Sequence, residues 1–346
     1  MRQRVTARQV AERAGVSRAT VSFVLNDVHG ARIAPETRNR VLDAAEELDY
    51  HPDISGRRLA TGQTNLIAYV ERQTPRQVFS DGFWPEVLHG VHDTALSANY
   101  EVMFAPDAIL EGESRCTRLL RGGYVDGAII SGPRVDDEEL ITLLEAGAPI
   151  VLQGSWPDPE VLAVDVDNVS SAKKATDHLL DLGYSQVGLI LHANQVYNAA
   201  KDRLDGYKKA LASRGITFEH ALVAQADFTP TSGEAAMNSL LELPSPPSAV
   251  FCTSDTVAIG AMRAIRRHGL RVPEDIAIAG FDDIPLAEYF DPSLTTIRLP
   301  AYQLGQASAD LLLALLEGRV PESKRRLLQS ELVIRRSCGA QKSRRN

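Results

Sequence analysis

The stretch Thr6–Asn26, TARQVAERAGVSRATVSFVLN, decides how the rest of the chain is read. Thr6 and Gln9 have the spacing of a capping box, which predicts a helix starting at Ala7. Val10, Ala11 and Ala14 fall on one face of it. Gly15 supplies the turn, where a residue without Cβ enters a left-handed backbone at least cost. Ser17 is placed to cap a second helix whose apolar side is Val21, Val24 and Leu25. Arg18, Ala19, Ser22 and Phe23 then face outward. Two helices crossing at a glycine turn form a helix-turn-helix unit, whose second helix fits the major groove of DNA. A plain helical hairpin shares this spacing.

A loop from Asp27 to Ile33 leads to a third helix with Pro35 in its first turn. Val41, Leu42, Ala45 and Leu48 are its expected buried stripe. Residues 1–51 thus read as a small all-α domain, marginal by itself. Residues 52–63 read as a linker that can hold one short helix through Leu59, weakened by Gly56.

Charge separates this head from the rest of the chain. The whole chain carries −8, yet residues 1–42 hold eight Arg against Glu12, Asp27 and Glu36, a balance of +5. A basic head on an acidic body suits a module that meets a polyanion while the body does not. Cys116, Cys252 and Cys338 are widely spaced and odd in number, fitting neither a disulfide framework nor a zinc motif. A reducing, cytoplasmic setting is the natural expectation. No apolar run reaches membrane-span length, and the basic N-terminus leads into no secretory h-region.

From Leu66 onward strands alternate with amphipathic segments. One series is LIAYV (66–70), EVMFA (101–105), GAIIS (127–131) and PIVLQG (149–154). A second is VLAVDVD (161–167), VGLILH (187–192), LVAQADF (222–228), AVFCTS (249–254) and IAIAGFD (276–282). Repeated βαβ units imply parallel sheets covered on both faces, so two series imply two doubly wound lobes. Tyr302–Glu317 is a strongly apolar helix after the second series. The polar, basic tail 339–346 is expected to be disordered.

The residues V-A-x-x-A-G-V-S-x-x-T-V-S-x-V-L-N from Val10 to Asn26 resemble the DNA-binding domain of the lac repressor family. The likeness continues through RIAPETRNRVLDAAEELDYHP, 32–52, and on to about Ser337. It implies a helix-turn-helix domain (1–51), a hinge helix (52–63) and a two-lobed, periplasmic-binding-protein-like effector and dimerisation domain (64–338). Lobe 1 is expected over about 64–158 and 298–320, lobe 2 over about 159–297 and 321–338. In the family the hinge orders on DNA and enters the minor groove, with the residue matching Leu59 as a wedge and Arg57 beside it for phosphates. Base-edge contacts are expected from Arg18, with Ala19 and Phe23 beside it, because arginine bonds guanine O6 and N7 and apolar groups touch thymine methyls. Ser17, Thr20, Ser22 and Asn26 are expected on phosphates, and Thr6 is counted with the DNA-binding residues. Phe23 departs from the polar residue many relatives carry.

Ligands of doubly wound sheets bind beyond the C-terminal ends of the strands. That rule points to Phe83 and Trp84 for ring stacking, although aromatic residues are more often core. The resemblance assigns Trp84 the stacking role, matches Arg203 to an arginine that bonds ligand hydroxyls or a carboxylate, and matches Asp282 to a ligand carboxylate. Taken without the resemblance, Arg203 reads as half of a surface salt bridge. Ser254 stands where several sugar-responsive members carry Asn, and Gly154 where many carry Asp. Asn198 and Lys201 are weaker candidates. Asp255 and Asp283 read as helix caps.

An enzyme would use the same groups, but G-x-G-x-x-G, P-loop and G-x-S-x-G signatures are missing, and no cofactor is expected. His89, His92 and Asp93 have a spacing that could ligate a metal, yet a solvated helix face gives the same pattern. A transport solute-binding protein shares the two-lobed fold but not the basic head. The expectation is a DNA-binding transcriptional regulator, a repressor, acting as a homodimer on a pseudo-palindromic operator, controlled by a small effector such as a sugar or polyol.

Overall fold

The computed structural model describes residues 5–25, 33–50, 62–79, 81–106, 109–110 and 113–340. The helical head and the α/β body are compact units and are taken in turn. Asn26, Arg57 and Leu59, with the rest of the expected hinge from 52 to 61, lie outside the described residues.

The head holds α1 (Ala7–Ala14), α2 (Arg18–Leu25) and α3 (Pro35–Glu47). Its start follows the capping rule, since the Thr6 N–H donates to Gln9 Oε1 at 2.9 Å. Gly15 closes α1 at φ 66°, and the Thr20 N–H donates to Ser17 Oγ at 3.1 Å at the start of α2. Val10, Ala14, Val21, Val24, Val41, Ala44 and Ala45 make the core. These are small side chains, so three short helices can approach closely over a small apolar area. Arg13 pairs with Glu47 at 2.7 Å, tying α1 to α3. One expectation fails: Leu42 is 45% exposed, and Ala44 rather than Leu42 completes the buried stripe of α3. Residue 42 sits a full 100° round the helix from Val41, whereas 44 and 45 return to its face.

The body begins with β1 (Leu66–Glu71), α4 (Pro75–Phe79), α5 (Trp84–Ser97) and β2 (Glu101–Pro106). A two-stranded ribbon of β3 (Ile109–Leu110) and β4 (Glu113–Ser114) precedes α6 (Arg115–Arg121). Then come β5 (Gly127–Ser131), α7 (Glu138–Glu145), β6 (Ile150–Gln153) and β7 (Ala163–Val166). The next run is α8 (Asn168–Asp181), β8 (Val187–Leu191), α9 (Asn198–Ala212), β9 (Val223–Gln225) and α10 (Pro230–Leu241). It continues with β10 (Ala249–Cys252), α11 (Asp255–Arg267), β11 (Ala277–Asp282) and β12 (Thr295–Arg298). The last elements are α12 (Ala301–Leu316), β13 (Arg325–Leu328) and β14 (Glu331–Val333).

Two six-stranded sheets result, ordered β13-β7-β6-β5-β1-β2 and β14-β12-β11-β10-β8-β9. The central strands are buried on both faces, as continuous Val/Ile/Ala runs require. β14 is antiparallel to β12, while β8 to β12 run parallel within their pairs. The helix α12 packs on α5 beside the first sheet, and at their crossing each helix has a glycine. A Cβ on Gly90 would meet Tyr302 O at 2.0 Å, and one on Gly305 would meet Val87 O at 2.0 Å.

The topology corrects the lobe boundaries. The strand pattern predicts that VLAVDVD opens the second sheet, but β7 pairs with β6 through Leu152↔Ala163 in the first. The connection from β6 to β7 contains no helix, and that missing helix reads in sequence as a break between series. Parallel neighbours ordinarily need a longer crossover. Likewise β13 joins β7 in the first sheet, against the expectation that 321–338 lies wholly in lobe 2. The strand from Glu331 does join the second sheet. The chain therefore passes between the sheets after β7, after β12 and after β13. The tail expectation also changes at its start: the Gly339 N–H donates to Arg336 O at 3.1 Å and Ala340 packs on the core.

Candidate functional site

The C-terminal ends of both sheets face one cleft with a cavity of about 120 Å³. Loops after β1, β5, β6 and β7 supply one wall, and those after β8, β9, β10, β11 and β12 the other. Phe83, Trp84, Asn198, Arg203, Ser254 and Asp282 all line it. Lys201 is exposed and outside it.

Arg203 is the hub. Far from a surface salt bridge, it is buried at 7% exposure on the inner face of α9. Its Nε donates to Asn168 Oδ1 at 2.9 Å and its Nη1 to Thr253 O at 2.6 Å. The guanidinium lies 3.8 Å over the Phe281 ring, a favourable cation–π placement. Nη1 also stands 3.8 Å from Asp282 Oδ1. Burial pushes the Asp282 carboxyl up to about 7, against the opposing pull of Arg203. Asp165 is pushed to about 7 by the same cause. His192 is held well below its ordinary range by burial and by Arg203, so its ring is neutral; Nδ1 lies 2.8 Å from Thr253 Oγ1.

Asp282 has φ 112° and Phe228 φ 64°. Backbone strain in side-chain-bearing residues concentrates where function requires a fixed geometry. Gly154 has φ 134°, and a Cβ there would meet Pro133 Cδ at 2.8 Å, so this backbone disfavours any side chain at 154, including the Asp that the resemblance implied. Ser254 caps α11, its Oγ accepting from the Thr256 N–H at 3.2 Å. That corrects the cap assigned to Asp255, which is buried and accepts from Thr296 Oγ1 at 2.6 Å and the Ile284 N–H at 3.0 Å. Its role is to pin the loop that carries Asp282. Asp283 is no cap either; it accepts from Arg298 and Arg335, each at 2.7 Å.

Phe83 and Trp84 stand at the start of α5 with their rings edge to face at 5.1 Å. Trp84 Nε1 is buried and has no hydrogen-bond partner among the described residues. Contacts bridge the walls. Asn198 Nδ2 donates to Ser155 O at 2.7 Å, Ser155 Oγ to Asp202 at 3.2 Å, and Gln77 Nε2 to Asp227 O at 3.0 Å. Arg134 and Tyr197 form an isolated bridge. Sequence reading missed Gln73, Asp81, Asp165, Asn168, Tyr197, His192 and Phe228 as lining residues. Asp165 and Asn168 belong to the strand placed in the wrong sheet and the helix after it. The strand-end rule, applied to β7, would have found them.

On the head, Thr6, Ser17, Arg18, Ala19 and Phe23 are exposed, and Thr20 and Ser22 partly so. Phe23 is an aromatic ring at 40% exposure on the α2 face that also carries Arg18 and Ala19. Thr20 Oγ1 is 2.9 Å from Ser17 Oγ. His89 Nε2 lies 3.3 Å from Asp93 on an exposed face of α5.

Residues 6–53 match the profile of bacterial regulatory proteins of the lacI family, and residues 176–338 that of a periplasmic binding protein-like domain. The HTH-type transcriptional regulator CelR of Thermobifida fusca is 34% identical, over 97% of this chain and 99% of that protein. The HTH-type transcriptional repressor CytR of Escherichia coli K12 is 35% identical over 97% and 96%. Among solved structures, a transcriptional regulator CelR–cellobiose complex superposes with a TM-score of 0.75 at 33% identity, over 96% of this chain and 100% of that one. The lac repressor dimer bound to operator and the anti-inducer ONPF gives 0.82 at 28% identity, over 97% and 99%. With its basic helix-turn-helix head and paired parallel sheets, this chain belongs to the lacI family of bacterial regulatory proteins, the DNA-binding regulators of transcription.

Proposed function

We propose that the chain is a repressor whose operator affinity is set by a sugar or related polyol held between its two lobes. The observation that carries the effector reading is the cleft itself: stacking aromatics, a guanidinium and carboxylates from both sheets converge on one cavity at the strand ends. CelR bound to cellobiose is a relative with a sugar in its structure. Arg18, Ala19 and Phe23 read base edges, while Ser17, Thr20, Ser22 and Asn26, with Thr6 nearby, hold the backbone. In the hinge, Leu59 wedges into the minor groove and Arg57 beside it holds phosphates. Two copies bind a pseudo-palindromic operator, as the lac repressor structure is of a dimer on its operator. The cleft works by binding alone and catalyses nothing, and the protein acts in the cytoplasm. Among the described residues no helix is long and apolar enough to cross a membrane.

Effector binding biases lobe closure, and differential affinity for two closure states sets the sign of control. A thermal-shift screen of sugars, nucleosides and polyols tests the reading. A sugar or polyol that raises the melting temperature of the wild type but not of Asp282→Ala supports it. Equal shifts in both proteins place the ligand elsewhere.

A further inference from the structure

On the effector reading proposed above, the lining of the cleft restricts the chemistry of its occupant. Three carboxylates, Asp81, Asp165 and Asp282, meet one guanidinium, Arg203. That guanidinium is already held by Asn168, Thr253 and the Phe281 ring. Gln73 is 6% exposed, lines the same cavity, and its Oε1 has no hydrogen-bond partner among the described residues. Buried acceptors without a donor are costly, which marks Oε1 as a place where a ligand donates. Trp84 Nε1–H is the complementary case, a buried donor needing an acceptor.

A hydroxyl donates and accepts, so it answers both groups. A phosphate dianion or a carboxylate brings acceptors only. It also adds negative charge beside three carboxylates, of which Asp165 and Asp282 sit in buried surroundings where like charges repel more strongly than in water. A protonated amine brings three donors and the opposite charge.

We propose that the cleft admits donor-rich, non-anionic polyols, including their amine-bearing forms, and rejects phosphorylated and carboxylated sugars. Burial already raises Asp165 and Asp282 to about 7, and at Asp282 the neighbouring Asp81 adds to the rise. An anionic occupant would raise them further. A polyol donating to them would lower them.

The test is calorimetry of the full-length protein with matched sets at pH about 7.5, where any bound phosphate is mostly doubly charged. The probes are glucose, glucosamine and glucose 6-phosphate; cellobiose and cellobionic acid; and ribose with ribose 5-phosphate. In each set that binds, the neutral or amine member should bind at least about tenfold more tightly than its anionic counterpart, a difference of about 1.4 kcal/mol. An anionic member binding as tightly as its parent overturns the inference and leaves the carbohydrate reading standing. Binding by no member overturns the carbohydrate reading and this inference together. Asp165→Asn should narrow the neutral-to-anionic ratio for the set that binds. A ratio unchanged in that variant overturns the assignment of the selectivity to the carboxylate cluster.

Discussion

Arg203 Nη1 and Asp282 Oδ1 face one another at 3.8 Å, both nearly buried, one from a helix and one from a strand end. That separation is too long for a direct hydrogen bond and leaves the pair open to a ligand hydroxyl that could touch both. Arg203 is a structural hub that also lines the cleft, and on the proposed function it is a site residue as well. Arg203→Ala leaves Asp165 and Asp282 without their cation, so it should cost about 3–5 kcal/mol of unfolding free energy. Arg203→Lys should rescue little of it, since a lysine cannot reproduce the fork to Asn168 and Thr253. Urea titrations measure both. A loss under about 1 kcal/mol for Arg203→Ala would mean the guanidinium is not integral to the fold.

Asp282 places a buried carboxyl on a strained backbone. Its φ of 112° is a conformation glycine adopts freely, and such strain costs on the order of 1–3 kcal/mol. Asp282→Gly removes the strain and a carboxylate crowded by Asp255 and Asp81. We expect this variant to melt at or above the wild-type temperature while failing to bind effector. A clear drop in melting temperature would show that the pairing with Arg203 outweighs the strain.

The buried acids set the direction of the pH response. Glu71 is pushed to about 8 by burial, and Asp165 and Asp282 to about 7. Each folded value lies above the unfolded one of about 4, so the native state binds more protons. Stability should therefore fall as pH rises from about 4 to about 8, with the depressed His192 opposing part of the fall below about 6.5, and level off above that. Glu71→Gln, neutral at every pH, should flatten the upper part of that fall and match the wild type at low pH. Melting curves across this range decide. A stability that rises toward pH 8 contradicts the burial of these groups as acids.

Much of the fold was legible because periodicity carries it. The strands 66–71, 127–131, 187–191, 249–252 and 277–282 are apolar runs that could be nothing else in a βαβ alternation. What was not legible was which sheet a strand joins. β7 and β13 pair with each other across more than 150 residues, and β13 is the half-exposed stretch RRLL, with no apolar pattern to announce it. The cleft was half-legible for the same reason. Strand-end residues such as Asp282 follow from a local rule. Asp81 and Phe228 enter from loops, and only three-dimensional closure shows it.

In the head, Arg18 and Phe23 should divide the labour. Arg18→Ala should weaken binding to the cognate duplex by about 1–3 kcal/mol and leave random duplex binding nearly unchanged. On the proposed reading of its exposed ring as a contact to a methyl rather than to a hydrogen-bond pattern, Phe23→Ala should relax preference for thymine at one position. Fluorescence-anisotropy titrations on cognate and scrambled duplexes separate the cases. Equal losses on both duplexes would make Arg18 a phosphate contact only.

The most direct measurement is selection of duplexes from a random pool by the full-length protein, repeated with and without the sugar that the thermal-shift screen selects. We expect enrichment of one inverted repeat, with half-sites read by the two heads of a dimer, and a change in its affinity of at least about tenfold when the sugar is bound. Enrichment of no sequence, or of a repeat whose affinity is indifferent to the sugar in the wild type, would contradict a ligand-controlled, sequence-specific repressor.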